Sequence, residues 1–127
     1  MATQPLATFT ASEPASLRDL RHHMVSELAA AGVSADRIDE VVVMASELVA
    51  NVLGHTESAA NVTVTAGPER LRVVVADDSS SLPVLRPVDP LVAGGHGLRI
   101  VDGIADEWGT VSHPGDGKEV WFTRRLQ

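Results

Sequence analysis

The amino-acid sequence predicts an α+β fold, a two-layer α/β sandwich in which about three helices cover one face of a mostly antiparallel sheet. Apolar residues recur every three to four positions in three segments, as in amphipathic helices, and they alternate in two hairpin-like segments. The predicted order is helix, helix, hairpin, long loop, helix, hairpin, which favours helices layered on a sheet. The 127 residues, 44% of them hydrophobic, predict a single domain over residues 1–127.

Two amphipathic helices are predicted in the first half of the chain. Ser16, followed three residues later by an acidic residue, has the spacing of an N-cap pair for the first helix, which ends by Gly32. The second helix is predicted to begin near Ser34 and to end at Gly54. Residues 1–11, ahead of both helices, are expected to be flexible.

The second half is predicted to contain two hairpins and one helix. One hairpin begins at Asn61, and the other begins at Thr110 and turns through PGDGK. The helix between them is predicted to cover Leu98–Gly109 from its apolar spacing. Between Asp77 and Gly97 the chain has three prolines and several serines and glycines, which are typical of a long irregular loop with a functional role.

Charge and composition exclude several classes of function. The chain has 10 Lys plus Arg against 17 Asp plus Glu, and a net charge of −7 argues against nucleic acid or an anionic membrane as the direct partner. Cysteine is absent, so disulfides, thiolate metal sites and cysteine nucleophiles are excluded. The longest apolar run is Val41 to Ala45, far below the roughly 18 residues of a membrane span. The start of the chain has no secretory pattern, so a cytoplasmic location is expected.

The polar face of the second helix is the first candidate for chemistry. At 100° per residue, Glu40, Glu47 and Asn51 lie within about 40° of one another, opposite the apolar stripe. One interpretation is a solvated polar face. The other is phosphoryl transfer, which needs a carboxylate that accepts a proton and an oxygen that binds Mg²⁺ beside a phosphate.

Two further candidates lie on either side of the long loop. Asp77 ends a valine-rich strand, where its carboxylate either starts a turn or accepts a hydrogen bond from an exocyclic amine in a crevice. Gly94, Gly95 and Gly97 precede the third helix, where they form either a hinge or a phosphate contact at the helix N-terminus.

Four segments in this order resemble the nucleotide-binding motifs of a known family. They are SELVANVLGH, VVVADDSSSLP, GGHGLRIVDGIADEWG and GDGKEVWF. Together they resemble the histidine-kinase-like, or GHKL, ATPases with the Bergerat ATP-binding fold. The order, spacing and short length are most similar to those of bacterial anti-sigma-factor serine/threonine kinases and their actinobacterial single-domain relatives, and the resemblance extends from about Ser12 to the C-terminus.

The resemblance assigns the reacting groups position by position. It implies that Glu47 is the general base and that Asn51 is the Mg²⁺ ligand. It implies that Asp77 accepts a hydrogen bond from adenine. Residues 78–97 would then form the lid over ATP.

The resemblance also assigns contacts to the rest of the nucleotide. Gly95, Gly97 and Leu98, at the start of the third helix, would hold the phosphates. Gly117 and Lys118 match the last motif, near the adenine. The implied ligands are ATP and Mg²⁺.

Two functions follow as alternatives from this resemblance. The first is a serine/threonine kinase that phosphorylates a small antagonist protein and so controls a sigma factor. The second is a protein-binding module that sequesters a sigma factor or another regulator, with or without nucleotide. Ser79 and Ser81 occupy positions where the family usually has glycines, and this departure favours the second. A homodimer is expected by analogy.

Overall fold

The computed structural model describes residues 5–56, 58–78, 97–113 and 115–127, which form five strands and three helices. The elements in chain order are β1 (Pro5–Ala11), α1 (Ser16–Ala30), α2 (Ala35–His55), β2 (Ala60–Ala66), β3 (Arg70–Asp77), α3 (Gly97–Ile104), β4 (Glu107–His113) and β5 (Gly117–Arg125). Among these described residues, no helix combines the length and apolar character that crossing a membrane requires.

The strands form an antiparallel sheet in the order β1-β2-β3-β5-β4. The pairs β2–β3 and β4–β5 are the two predicted hairpins, and β3 pairs with β5 across the segment that contains α3. α1 packs on β1, α2 packs on the three central strands, and α3 packs on α2 and β4. The predicted α+β sandwich of three helices on an antiparallel sheet is confirmed.

The core lies between the helices and one face of the sheet. Strands β2 and β3 alternate buried and more exposed residues, as period-two patterning requires for a sheet with one covered face. The buried apolar side chains of the central strands are Ala60, Val62, Val64, Leu71, Val73, Val75, Val120 and Phe122. Burial of each valine, leucine or phenylalanine side chain among them contributes about 1.5–3 kcal/mol to the stability of the fold.

The strand β1 corrects the predicted flexibility of residues 1–11. Residues Pro5–Ala11 form an edge strand that pairs antiparallel with β2, so that Phe9 lies opposite Val62. Phe9 packs against the core, and Thr10 Oγ1 donates to Asn61 Oδ1 at 2.8 Å across the pair. No strand is predicted here from the sequence because Leu6 and Phe9 are the only large apolar residues among its seven, which is a weak local signal, and pairing with β2 stabilises it. Residues 1–4 lie outside the described residues.

The helix starts were predicted with mixed success. Ser34 caps α2 as predicted, because its Oγ accepts a hydrogen bond from the N–H of Arg37 at 3.4 Å. The predicted cap at Ser16 is wrong, because Ser16 is already the first residue of α1. Its own N–H donates to the carbonyl of Glu13 at 2.9 Å, so a backbone turn, and not a side chain, starts this helix.

The segment predicted as one helix to Gly109 divides into α3 and the start of β4. Trp108 lies on β4 opposite Phe122, and its indole N–H donates to Asp102 Oδ1 at 2.8 Å. The predicted helix end is therefore wrong. Pairing with β5 and burial of the indole against the core override the helical spacing of the apolar residues.

A charged cluster on Glu40 joins the helix layer to the sheet. Its carboxylate accepts from Arg37 at 2.7 Å within α2 and from Arg124 of β5 at 2.9 Å. Arg124 also lies 3.5 Å from Asp106, between α3 and β4. Hydrogen bonds from Arg37 and then Arg124 lower the pKa of Glu40 below its ordinary value of 4.5.

Replacing Glu40 with Gln is expected to destabilise the protein in a pH-dependent way. The lowered pKa means that the carboxylate stabilises the fold fully above about pH 4.5, and this contribution is lost as the pH falls through the folded-state pKa. The expected loss at pH 7 is about 1–2 kcal/mol of unfolding free energy, shrinking below pH 4.5. Urea unfolding at several pH values measures this difference.

The matched control is Asp39→Asn, the same change of carboxylate to amide at the exposed neighbouring residue of α2. An equal loss in both variants, with the same pH dependence, would contradict the structural role assigned to Glu40.

Candidate functional site

A buried ion pair lies where β3 ends and β5 begins. Lys118 Nζ is 3.1 Å from Asp77 Oδ2 and 3.3 Å from Oδ1. The two residues are only 4% and 7% exposed, so this pair lies in the protein interior. In such a place the attraction between opposite charges offsets part of the cost of removing each from water.

The register of β3 and β5 places these two residues together. Asp77 is the backbone partner of Lys118, and both side chains point to the face that buries Val75 and Val120. The family resemblance assigns both residues to the nucleotide and does not predict their contact. The only signal for this contact in the sequence is an acidic strand end and a basic strand start, since nothing in the sequence shows that β3 and β5 are neighbours.

Gly117 allows the backbones of the two strands to approach closely. Its φ is +93°, a conformation that residues with a Cβ rarely adopt. A Cβ there would collide with the backbone oxygen of Asp77 and would lie 2.8 Å from the Cα of Asp78. The glycine of the last motif therefore allows the β5 backbone to lie close to the backbone of Asp77.

The C-terminal end of α2 lies at the same end of the sheet. Ser58, in the connection from α2 to β2, accepts a hydrogen bond at 2.8 Å from the N–H of Asp78, which follows Asp77. Ser58 is itself fixed to the helix end, because its N–H donates at 3.0 Å to Thr56 Oγ1. Glu47 and Asn51 are half-buried in the last three turns of α2, one turn apart.

The polar face predicted on α2 thus has two different parts. Glu40 belongs to the ion pairs with Arg37 and Arg124 and has a structural role, which neither interpretation of the polar face predicted. Glu47 and Asn51 lie nearer the helix end that the Ser58 hydrogen bonds connect to the buried ion pair.

The glycine-rich segment is only partly described. Gly97 is the first residue of α3, and Leu98 is buried in the core at 5% exposure. Leu98 therefore anchors the helix start, and only its backbone is left to meet a ligand. Gly95, and all of the predicted lid at 78–97 apart from its first and last residues, lie outside the described residues, as do Ser79 to Ser81.

A magnesium ion at this end of α2 would have to be held jointly with phosphates. Within the described ranges, no group of three or more His, Cys, Asp or Glu side chains could hold a metal ion by itself. Mg²⁺ usually takes only one or two protein oxygens and completes its shell with water and substrate phosphates. The amide oxygen of Asn51 fits that requirement.

A cavity of about 770 Å³ lies at the opposite end of the sheet, and its lining includes the α1–α2 turn, the β2–β3 turn and the end of β5. Arg70 and Arg125 line it and are partners at the far end of the β3–β5 pair from Asp77 and Lys118. Among the predicted site residues that the structure describes, none lines this cavity. It is therefore separate from the candidate site.

The family model of the histidine kinase-like ATPase domain matches residues 10–124. The chain belongs to this family. The matched residues include all three helices and the whole of strands β2, β3 and β4. No curated protein is a significant match.

Among solved structures, this chain is similar to part of the crystal structure of the RsbU and RsbW domains of Rv1364c from Mycobacterium tuberculosis. The TM-score is 0.68 with 19% sequence identity, and the match covers 94% of this chain. That likeness concerns the fold. The match covers 32% of the other chain, so this chain spans about a third of its length.

Replacing Gly117 with Ala is expected to destabilise the ATPase domain by about 3 kcal/mol or more, because the positive φ and the collision with Asp77 act together. Gly115→Ala is the matched control, since Gly115 has a φ of +83° but open space around it. It should cost about 1 kcal/mol from backbone strain alone. Denaturant unfolding measures both, and equal losses would show that the close approach at Gly117 has no energetic role.

Proposed function

We propose that this chain is an ATP- and Mg²⁺-dependent serine/threonine kinase and anti-sigma-factor-type regulator that phosphorylates a small antagonist protein. One observation carries the proposal. The buried carboxylate of Asp77 lies at the same end of a histidine kinase-like ATPase domain as the half-buried Glu47 and Asn51. An acceptor for adenine, a proton acceptor and a magnesium ligand are the groups that the transfer requires.

Each residue has one role in this proposal. Asp77 accepts a hydrogen bond from the exocyclic amine of adenine, because an ionised carboxylate is an acceptor only. The Asn51 oxygen holds Mg²⁺, which neutralises phosphate charge when bound. Glu47 takes the proton of a serine or threonine hydroxyl while the hydroxyl oxygen forms a bond to the γ-phosphorus. At the same time the bond between the γ-phosphorus and the β–γ bridging oxygen breaks, which releases ADP.

The proposed partners are proteins. A small anti-anti-sigma-like antagonist would supply the hydroxyl, and a sigma factor would bind when the antagonist is phosphorylated. The RsbW domain in the similar structure supports this class of partner, and the net charge of −7 supports a protein rather than nucleic acid or a membrane. We also propose that the protein is cytoplasmic and forms a homodimer.

The alternative function is a binding module that acts by contact alone. One observation favours it, namely that the Asp77 carboxylate is paired with Lys118 within the fold. The replacement of the family's glycines by Ser79 and Ser81 agrees with it. In that case the carboxylate of Glu47 would have no chemical role.

Asp77→Asn is expected to weaken the binding of ATP with Mg²⁺ by about tenfold or more, because it removes the charged acceptor with little change in size. Titration calorimetry measures the dissociation constant, and thermal melting checks that the variant is folded. Asp39→Asn is the matched control, the same change at an exposed aspartate of α2, and should bind as the wild type does. Equal affinities in all three proteins would contradict the role of Asp77.

Glu47→Gln is expected to abolish phosphate transfer while changing ATP affinity by less than about threefold, because the carboxylate acts on the hydroxyl and not on adenine. Transfer of labelled γ-phosphate to candidate antagonist proteins measures the first effect, and calorimetry measures the second. Glu27→Gln, at a half-buried glutamate of α1, is the control and should retain transfer. Undiminished transfer by Glu47→Gln would overturn the assignment of the base, and binding of a partner without any transfer would favour the module.

A further inference from the structure

The two edges of the sheet differ in how well they are protected from pairing with another strand. β1 ends the sheet on one side and β4 ends it on the other. β1 begins with a proline, and its register with β2 shifts between Pro5 and Ala7. Prolines and irregular register both hinder a further strand from pairing along an edge, so β1 is a protected edge.

The outer edge of β4 has neither form of protection. Its seven residues, Glu107–His113, include no proline and no lysine, and they pair with β5 without a break in register. Among the strands that the structure describes, none pairs with this outer edge. An unbroken edge of this length presents a row of backbone donors and acceptors to any strand that can approach it.

A second copy of β4 fits this edge by symmetry. Two identical strands can pair antiparallel about a twofold axis, which gives an interface made of the same residues on both sides. Opposite side chains must lie on the same face of the sheet, so the axis passes through a residue of the strand. Of the possible registers, only the one centred on Thr110 pairs all seven residues. It sets Glu107 opposite His113 of the second copy, so that the two glutamates do not meet.

The same register covers an exposed valine. Of the described residues, Val111 is one of three exposed large hydrophobic side chains, at 39% exposure. The register sets it opposite Gly109 of the second copy. The ring of Trp121 lies over Gly109, since a Cβ there would be 2.9 Å from Cζ2 of that ring. Each valine would therefore pack beside an indole of the other copy, as an aromatic ring and a branched side chain do across a strand pair.

We propose that the outer edge of β4 pairs with β4 of a second copy of this chain, in the register centred on Thr110, and joins the two sheets into one of ten strands. The inference rests on the homodimer included in the proposed function and assigns the surface that forms it. Ser112 on β4 is the strand partner of Lys118, so the second copy would lie one strand away from the candidate site of each protomer.

The first test uses the absence of cysteine from the chain. In Thr110→Cys the two new thiols would face each other across the axis, with Cα atoms about 4.5–5.5 Å apart, which is a distance that a disulfide can bridge. Mild oxidation is expected to convert most of this variant into a covalent dimer on a non-reducing gel. Thr8→Cys is the matched control, the same change at an exposed residue in the middle of β1, and should cross-link at least about tenfold more slowly.

The second test places a charge at the interface. Val111→Lys is expected to raise the dissociation constant of the dimer by about tenfold or more, because it sets two ammonium groups without partners beside the paired strands. Sedimentation velocity over a range of protein concentrations measures the constant, and thermal melting checks that the variant is folded. Thr8→Lys, the same new side chain on the other edge strand, should keep the wild-type constant.

Two results would overturn this surface while leaving the homodimer standing. One is a wild-type dimer in which Thr110→Cys cross-links no faster than Thr8→Cys. The other is an unchanged dissociation constant in a folded Val111→Lys. A wild-type protein that is monomeric at every concentration would overturn both the surface and the homodimer. The ATP site is decided separately, by titrating the same wild-type protein with ATP and Mg²⁺.

Discussion

The pairing of β3 with β5 is the constraint on which the rest of the structure depends. It joins strands that are not neighbours in the sequence, completes the centre of the sheet beneath α2, and sets Asp77 opposite Lys118. Burial of Val73 and Phe122 between sheet and helices stabilises this pairing. The candidate site is therefore a consequence of sheet register, because a shift by one residue would move the carboxylate to the other face.

The elements that the sequence predicted correctly are those with strong local signals. α2 has a long apolar stripe and a serine cap at Ser34, and the β2–β3 hairpin has alternating valines around a Gly-Pro turn. Placing Glu47 and Asn51 on one side of α2 required only the helical period. The edge strand β1 was not predicted because its apolar pattern is short. Trp108 was predicted on a helix because its spacing from the preceding apolar residues is helical, whereas in the structure it pairs with Phe122 on β5.

The contacts that define the site could not be predicted, because they join distant parts of the chain. Asp77 and Lys118 are 41 residues apart, and Glu40 and Arg124 are 84 apart. The helical period alone grouped Glu40 with the catalytic candidates. Its distinct role depends on which residues of β5 pass beneath α2, and that follows from the strand order and not from any local motif.

The central claim is that nucleotide binds at the buried Asp77–Lys118 pair. Because the chain has a single lysine, labelling lysine with ¹⁵N gives one side-chain ammonium signal, which reports on this position alone. Titration with ATP and Mg²⁺ should shift that signal and saturate with the same dissociation constant as calorimetry. Saturable ATP binding that leaves the Lys118 signal unchanged would place the nucleotide elsewhere on the protein and contradict this account.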